Sequence, residues 1–195
     1  MAVQRKEIKK KRKIWYGIKA SKEFKFAVIG ETISDNPGKL VGRTVASSLS
    51  NLTNDGRMQN IRVTFEITDV KEGFANTTLV GYELLPMYIK RVVKLTKERI
   101  DDSFEISTKD GYKLRLKPIF ITKHFTKRQV LTDLRKKSRE YFKELLGKEN
   151  YESFLNSLIR HQVQYELKNR LNKIYPMGVT ELRKMEVIGI PVKSN

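Results

Sequence analysis

The stretch Thr108 to Arg128, TKDGYKLRLKPIFITKHFTKR, constrains the rest of the chain because it joins a turn, a two-faced strand and the start of a basic segment. Asp110-Gly111 predicts a two-residue type I′ hairpin turn, since that turn requires positive φ at both central residues and Asp and Gly tolerate it best. A strand is expected on either side of it. After the turn, Tyr112, Leu114 and Leu116 alternate with Lys113, Arg115 and Lys117. A period of two sends the apolar set to one face and the cations to the other. Pro118 removes a ladder donor, so the strand lies at an edge there or bulges before Ile119, Phe120 and Ile121. Charged strand faces are usually solvated surface, so the charge of the whole chain has to decide whether this one is a site.

The chain has 195 residues and a formal net charge of +18, with 40 Lys and Arg against 22 Asp and Glu. So much self-repulsion gains a free globule nothing and points to a large polyanionic partner. Its distribution is uneven. Residues 1 to 13 carry seven cations and Glu7, and residues 112 to 148 carry twelve cations against three anions, so these two segments hold fifteen of the eighteen excess charges. There is no cysteine, which removes disulfides, thiolate nucleophiles and cysteine-ligated zinc. No apolar run approaches the roughly 18 residues needed to span a bilayer, and the N-terminus lacks a signal-peptide segment. The expectation is a soluble, intracellular protein with no membrane partner.

Met1 to Lys13 contains Lys9, Lys10, Lys11, Arg12 and Lys13 in a row and little that could be buried, so it is expected to order only on its partner. Trp15 and Tyr16 follow. This pair is a candidate for stacking on unpaired bases, although a chain's only Trp is expected to be the anchor that fixes the arm's root in the core. Phe24, Phe26 and Val28 alternate as a short strand, and Asn36-Pro37-Gly38 and Asn54-Asp55-Gly56 mark turns. Ile61 to Thr68 alternates cleanly and is expected to pair with Thr77 to Leu84 through a turn at Lys71-Glu72-Gly73. Pro86 opens a helix of about three turns. Thr126 is expected to cap a long helix ending at Gly147, with Arg135, Lys136, Lys137, Arg139 and Lys143 opposite its apolar stripe. A second helix runs from Asn150 to Pro176, and a final strand, Val179 to Ile190, returns to the sheet. The expected fold is α+β: a curled antiparallel sheet or partly closed β-barrel packed with about three helices, plus a basic N-terminal arm. Residues 1–22 form the extension and residues 23–195 a single domain.

No catalytic constellation is visible. Neither His124 nor His161 has a Ser or second carboxylate beside it in sequence, and no phosphate-binding glycine spacing occurs. Asp101-Asp102 point apart on any regular element and lack a third ligand nearby, so they predict a turn rather than a metal site. No cofactor and no small-molecule substrate is expected. The candidate RNA-binding residues are Lys9, Lys10, Lys11, Arg12, Lys13, Trp15, Tyr16, Lys113, Arg115, Lys117, Lys123, Lys127, Arg128, Arg135, Lys136, Lys137 and Arg139.

Four segments, KIWYGIKA at Lys13 to Ala20, GRTVASSLSNLTND at Gly42 to Asp55, TKDGYKLRLKPIFITK at Thr108 to Lys123 and IYPMGVTELRKMEV at Ile174 to Val187, resemble the S-three-A-e (e-S-one) family of archaeal and eukaryotic small-subunit ribosomal proteins. Ser21 stands where that family often has Pro, and Ala46 and Asn51 replace acidic positions. The chain's end shortly after Ser194 resembles the archaeal form. The resemblance implies a non-enzymatic structural constituent of the small ribosomal subunit, cytoplasmic and ribosome-bound. It implies an rRNA-binding domain on the platform near the messenger exit, with small-subunit rRNA, neighbouring small-subunit proteins and messenger RNA as partners. An RNA-binding regulator acting off the ribosome and a nuclease or RNA-modifying enzyme are the alternatives.

Overall fold

The computed structural model describes residues 12–189. Nine strands are found there: β1 (Ile14–Lys19), β2 (Val28–Ser34), β3 (Thr44–Ser48), β4 (Ile61–Lys71), β5 (Phe74–Leu84), β6 (Arg99–Asp101), β7 (Phe104–Ser107), β8 (Lys113–Thr122) and β9 (Met177–Gly189). Five helices accompany them: α1 (Leu49–Thr53), α2 (Pro86–Val92), α3 (Arg128–Lys148), α4 (Tyr151–Ile159) and α5 (Gln162–Asn172). The strands form one mixed, unclosed sheet, so the fold is α+β as expected, but the barrel does not close. One pair, β1 with β5, is parallel, which short-turn reasoning did not anticipate. Two compact units divide the described chain, residues 12–45 with 65–79 and residues 46–64 with 80–189, and β4 and β5 run through both.

In the first unit β1 pairs antiparallel with β2, from Ile14 opposite Ser34 to Lys19 opposite Val28. Tyr16 and Ile18 point inward and pack with Leu40, Ile67 and Ala75. Phe24 meets Phe65 edge-on at 5.6 Å between ring centroids. The strand expected from Phe24 does not form. Lys22–Phe24 is a single 3-10 turn, and Lys25 and Phe26 take left-handed φ values of 54° and 55°. Residues 14–19, part of the 1–22 extension read from the sequence, are a sheet strand, and residues 1–11 lie outside the described residues. The β4–β5 hairpin turns through Glu72 and Gly73, both at positive φ, 52° and 79°, as a type I′ connection requires.

The second unit is built on β8, which pairs with β9 on one side and with β6 and β7 on the other. Leu114, Leu116, Ile119, Phe120 and Ile121 are all buried. The turn before β8 differs from the expected type I′ form. Only Gly111 has positive φ, at 83°, and its N–H donates to the Thr108 carbonyl at 3.0 Å while the Thr108 N–H donates to Tyr112 O at 2.9 Å. This is a three-residue loop with a glycine bulge. Asp110 is needed elsewhere: its carboxylate accepts the Tyr151 N–H at the start of α4, at 3.1 Å. Pro118 is not at an edge; the register with β9 shifts between Lys117 and Pro118. The strand bulges at Pro118.

The helices also depart from expectation in detail. α2 has seven residues rather than three turns. α3 starts one residue beyond Lys127, has no side-chain cap from Thr126, and runs past Gly147 to Lys148. The expected second helix breaks into α4 and α5 at His161, whose φ is 59°. Leu158 is buried, but a continuous helix would next turn residues 161 and 162 inward, and these are His and Gln. The break lets the apolar stripe resume at Val163 and continue through Leu167 and Leu171.

At that break His161 Nε2 lies 3.1 Å from Met58 Sδ and its Nδ1 lies 3.9 Å from Glu181 Oε2 on β9. Burial pushes the Glu181 carboxyl up to about 7 against the opposing pull of Lys168, and burial also holds the His161 imidazole below its ordinary value. The folded protein therefore binds a proton at Glu181 that the unfolded chain releases, and the resulting stability is present below about pH 4.5 and lost as pH rises through 7. Replacing Glu181 by Gln is expected to flatten the pH dependence of urea unfolding and to stabilise the protein at about pH 8, by up to about 3 kcal/mol. Parallel curves for the two proteins would contradict this. In the core, Phe120→Ala is expected to cost about 3–5 kcal/mol in the same assay and Leu95→Ala, at a side chain 98% exposed, less than about 0.5 kcal/mol.

Candidate nucleic-acid interface

The basic half of the chain lies on three elements of the second unit: the outer face of β8, the loop from Lys123 to Lys127, and α3. The alternation in β8 is as predicted, with Leu114 and Leu116 buried and Lys113, Arg115 and Lys117 on the opposite face. That face is not a free cationic surface. Glu105 on β7 accepts from Arg115 Nη2 at 2.7 Å, and Glu186 on β9 lies 3.5 Å from Lys117 Nζ and 2.6 Å from Lys184 Nζ. The arrangement follows from strand register, because Glu105 and Glu186 are both directly opposite Arg115. Lys184 and Lys117 hold the Glu186 carboxyl below the ordinary range. Of the three β8 cations only Lys113 has no carboxylate partner among the described residues.

The loop before α3 is pinned by hydrogen bonds rather than by a cap. The buried Thr122 hydroxyl accepts the Glu98 N–H at 3.0 Å and donates to His124 O at 2.6 Å, and Tyr175 donates its hydroxyl to Phe125 O at 3.0 Å. Lys123 N–H donates to Pro176 O at 3.1 Å. Lys123 and Lys127 therefore project from a backbone with several fixed points, and both are exposed.

α3 packs one side inward. Leu134, Ser138, Tyr141, Phe142 and Leu146 are buried. At about 100° per residue, Arg128, Arg135, Lys136, Arg139 and Lys143 fall within an arc of about 100°, while Lys137 falls about 180° from Arg128. Lys137 instead pairs with Glu140 at 2.9 Å. Arg139 makes a two-pronged bond to Asp102, Nε to Oδ2 at 2.7 Å and Nη2 to Oδ1 at 2.6 Å. Burial pushes the Asp102 carboxyl up, but the bonds from Arg139 and from the Ser103 N–H outweigh it and leave the group below its ordinary value. Asp102 is thus a structural anchor for α3. Arg170 of α5 pairs with Glu144 at 2.8 Å on another part of the helix.

On α3 and the loop before it, Lys123, Lys127, Arg128, Arg135, Lys136 and Lys143 form no salt bridge among the described residues. Beside them, between α3 and β7, a groove of about 570 Å³ has Phe104 and Ile106 along one wall and Arg139 and Lys143 along the other.

Near the N-terminus, Arg12 and Lys13 are exposed and Lys9, Lys10 and Lys11 lie outside the described residues. Trp15 is 63% exposed, so it does not anchor the arm, and buried Tyr16 takes that place. Strand alternation assigns the two rings to opposite faces, a signal available from the sequence. Lys143 joins the stripe on helical spacing alone. No group of three or more His, Cys, Asp or Glu able to hold a metal ion occurs among the described residues.

The model of the Ribosomal S3Ae family matches residues 2–191. Among curated relatives, the small ribosomal subunit protein eS1 of Staphylothermus marinus is 34% identical over 181 residues, covering 93% of this chain and 85% of the relative. The protein of the same name from Nanoarchaeum equitans is 35% identical over 176 residues, covering 90% and 89%, and that from Methanothrix thermoacetophila is 30% identical over 188 residues, covering 96% and 89%. The match extends from the basic N-terminal segment through β9, and the chain belongs to the Ribosomal S3Ae family of structural, non-enzymatic ribosomal proteins.

Proposed function

We propose that the chain binds small-subunit rRNA chiefly through the unpaired cations of α3 and the loop before it, with the N-terminal basic segment as a second contact. As a member of its family it is a structural constituent of the small ribosomal subunit, found on ribosomes in the cytoplasm, with rRNA and neighbouring ribosomal proteins as partners. The observation that supports the α3 surface is the separation of paired from unpaired charge. Arg115 and Lys117 on β8 and Lys137 on α3 are matched internally, whereas Lys123, Lys127, Arg128, Arg135, Lys136 and Lys143 are left to a partner. Phosphates are the ligand such a surface fits, because each contact releases condensed counterions from the nucleic acid. Within the same proposal, residues 23–195 bind RNA together with residues 1–22, of which Ile14–Lys19 are strand β1. The chain sits on the platform of the subunit near the messenger exit, where messenger RNA is a further contact.

The test is binding of the full chain to small-subunit rRNA across a salt series. Lys127→Ala, Arg128→Ala, Arg135→Ala and Lys136→Ala together are expected to lower the slope of log affinity against log salt by about 3 to 4. Changing Lys113, Arg115 and Lys117 together to Ala is expected to lower it by only about 1, because Arg115 and Lys117 already have carboxylate partners. A slope unchanged by the fourfold variant would contradict the assignment to α3.

A further inference from the structure

We propose that the outer face of β1, with Trp15, Phe74 and Lys19, is a stacking platform for unpaired RNA bases; this rests on the RNA-binding reading above and names the form of RNA that this face takes. Tyr16 and Ile18 are committed to the core, which leaves Trp15, Gly17 and Lys19 on the other face of the same strand. Trp15 is 63% exposed and lies opposite Ile33 on β2. Gly17 lies opposite Phe74 in the parallel pair with β5. A Cβ at Gly17 would stand 2.9 Å from both Cδ1 and Cε1 of Phe74, so only glycine lets that ring lie against the strand. Lys19 Nζ sits 3.8 Å from the centroid of the Phe74 ring. Lys19 thus carries a positive charge to the aromatic surface itself.

Large apolar rings kept on the solvent side of a sheet mark an interaction surface. Charge decides the occupant. Arg12 and Lys13 lead directly into β1 and Lys19 closes it. Glu31 is the anion on the outer face of β2, outnumbered by these three cations. An apolar protein surface would leave the cations unmatched, whereas a single-stranded RNA supplies flat base faces for the rings and phosphates for the charges. A duplex does not fit, since its bases are already stacked on each other.

Trp15 is the chain's one tryptophan, so its emission reports this site directly. Titrating the full chain with a mixed-sequence single-stranded RNA is expected to quench that emission saturably, while the same sequence annealed as a duplex leaves it nearly unchanged. Phe74→Ala and Trp15→Ala, followed by anisotropy of labelled RNA, are each expected to weaken single-strand binding by roughly 5- to 100-fold and to leave duplex binding intact. Both side chains are at the surface, and far-UV circular dichroism checks that the variants fold. Salt-dependent RNA binding with no change in Trp15 emission would overturn the platform and leave the α3 reading standing. Equal quenching by duplex, or a Trp15 shift produced by small-subunit proteins but not by RNA, would also overturn it. Failure to bind either RNA would overturn the RNA-binding reading itself.

Discussion

Strand β8 is hydrogen-bonded along both edges, and the position of α3 follows from how it accommodates one residue. Pro118 has no N–H to give, so the ladder to β9 shifts register there, and on the other side the pairing is divided between β6, ending at Asp101, and β7, starting at Phe104. Asp102 lies in that gap, where its N–H donates to the Pro118 carbonyl at 3.3 Å and its side chain, only 6% exposed, receives both prongs of Arg139. A bidentate pair of this kind fixes orientation as well as position. The same helix is held on its apolar side by Phe142 against Phe104, at 5.7 Å between ring centroids. Arg128, Arg135, Lys136 and Lys143 are consequently presented on one arc.

Electrostatic segregation is thus finer than the segment totals suggest. A net charge of +18 is spread over elements that differ in how much of it they neutralise internally. The β8 face, which alternation alone marks as a row of positive charge, is interleaved with Glu105 and Glu186 and behaves as an ion-pair mosaic. Surface pairs of this type add little stability, but they remove those cations from competition for phosphate. The cations on α3 and its preceding loop that form no salt bridge are charge that folding leaves free for a partner.

Much of this was legible beforehand. The strand faces of β4, β5 and β8, the long amphipathic helix and the class of partner followed from periodicity and charge, because each depends on neighbours within a few residues. The resemblance supplied the family. What sequence reasoning missed depended on distant residues. Asp110 is spent on capping α4 rather than on a type I′ turn, and Arg115 is matched by a glutamate that only register brings opposite it. The parallel meeting of β1 with β5, which lays Phe74 over Gly17, has no local signature beyond a glycine in a strand. The break at His161 was readable in retrospect as a slip in the phase of the apolar stripe. Trp15, although the chain's one tryptophan, faces solvent, because its alternation with Tyr16 lets only one of the two face inward.

The central claim is that the cations left unpaired by folding are the ones occupied on the ribosome. Lysine-reactive labelling of the free chain and of the chain in assembled small subunits, read residue by residue by mass spectrometry, tests it most directly. The account predicts that Lys123, Lys127, Lys136 and Lys143 react in the free protein and are protected in the subunit. Lys137, already paired with Glu140, is expected to change little. Retention of full reactivity at Lys127, Lys136 and Lys143 in assembled subunits would contradict it.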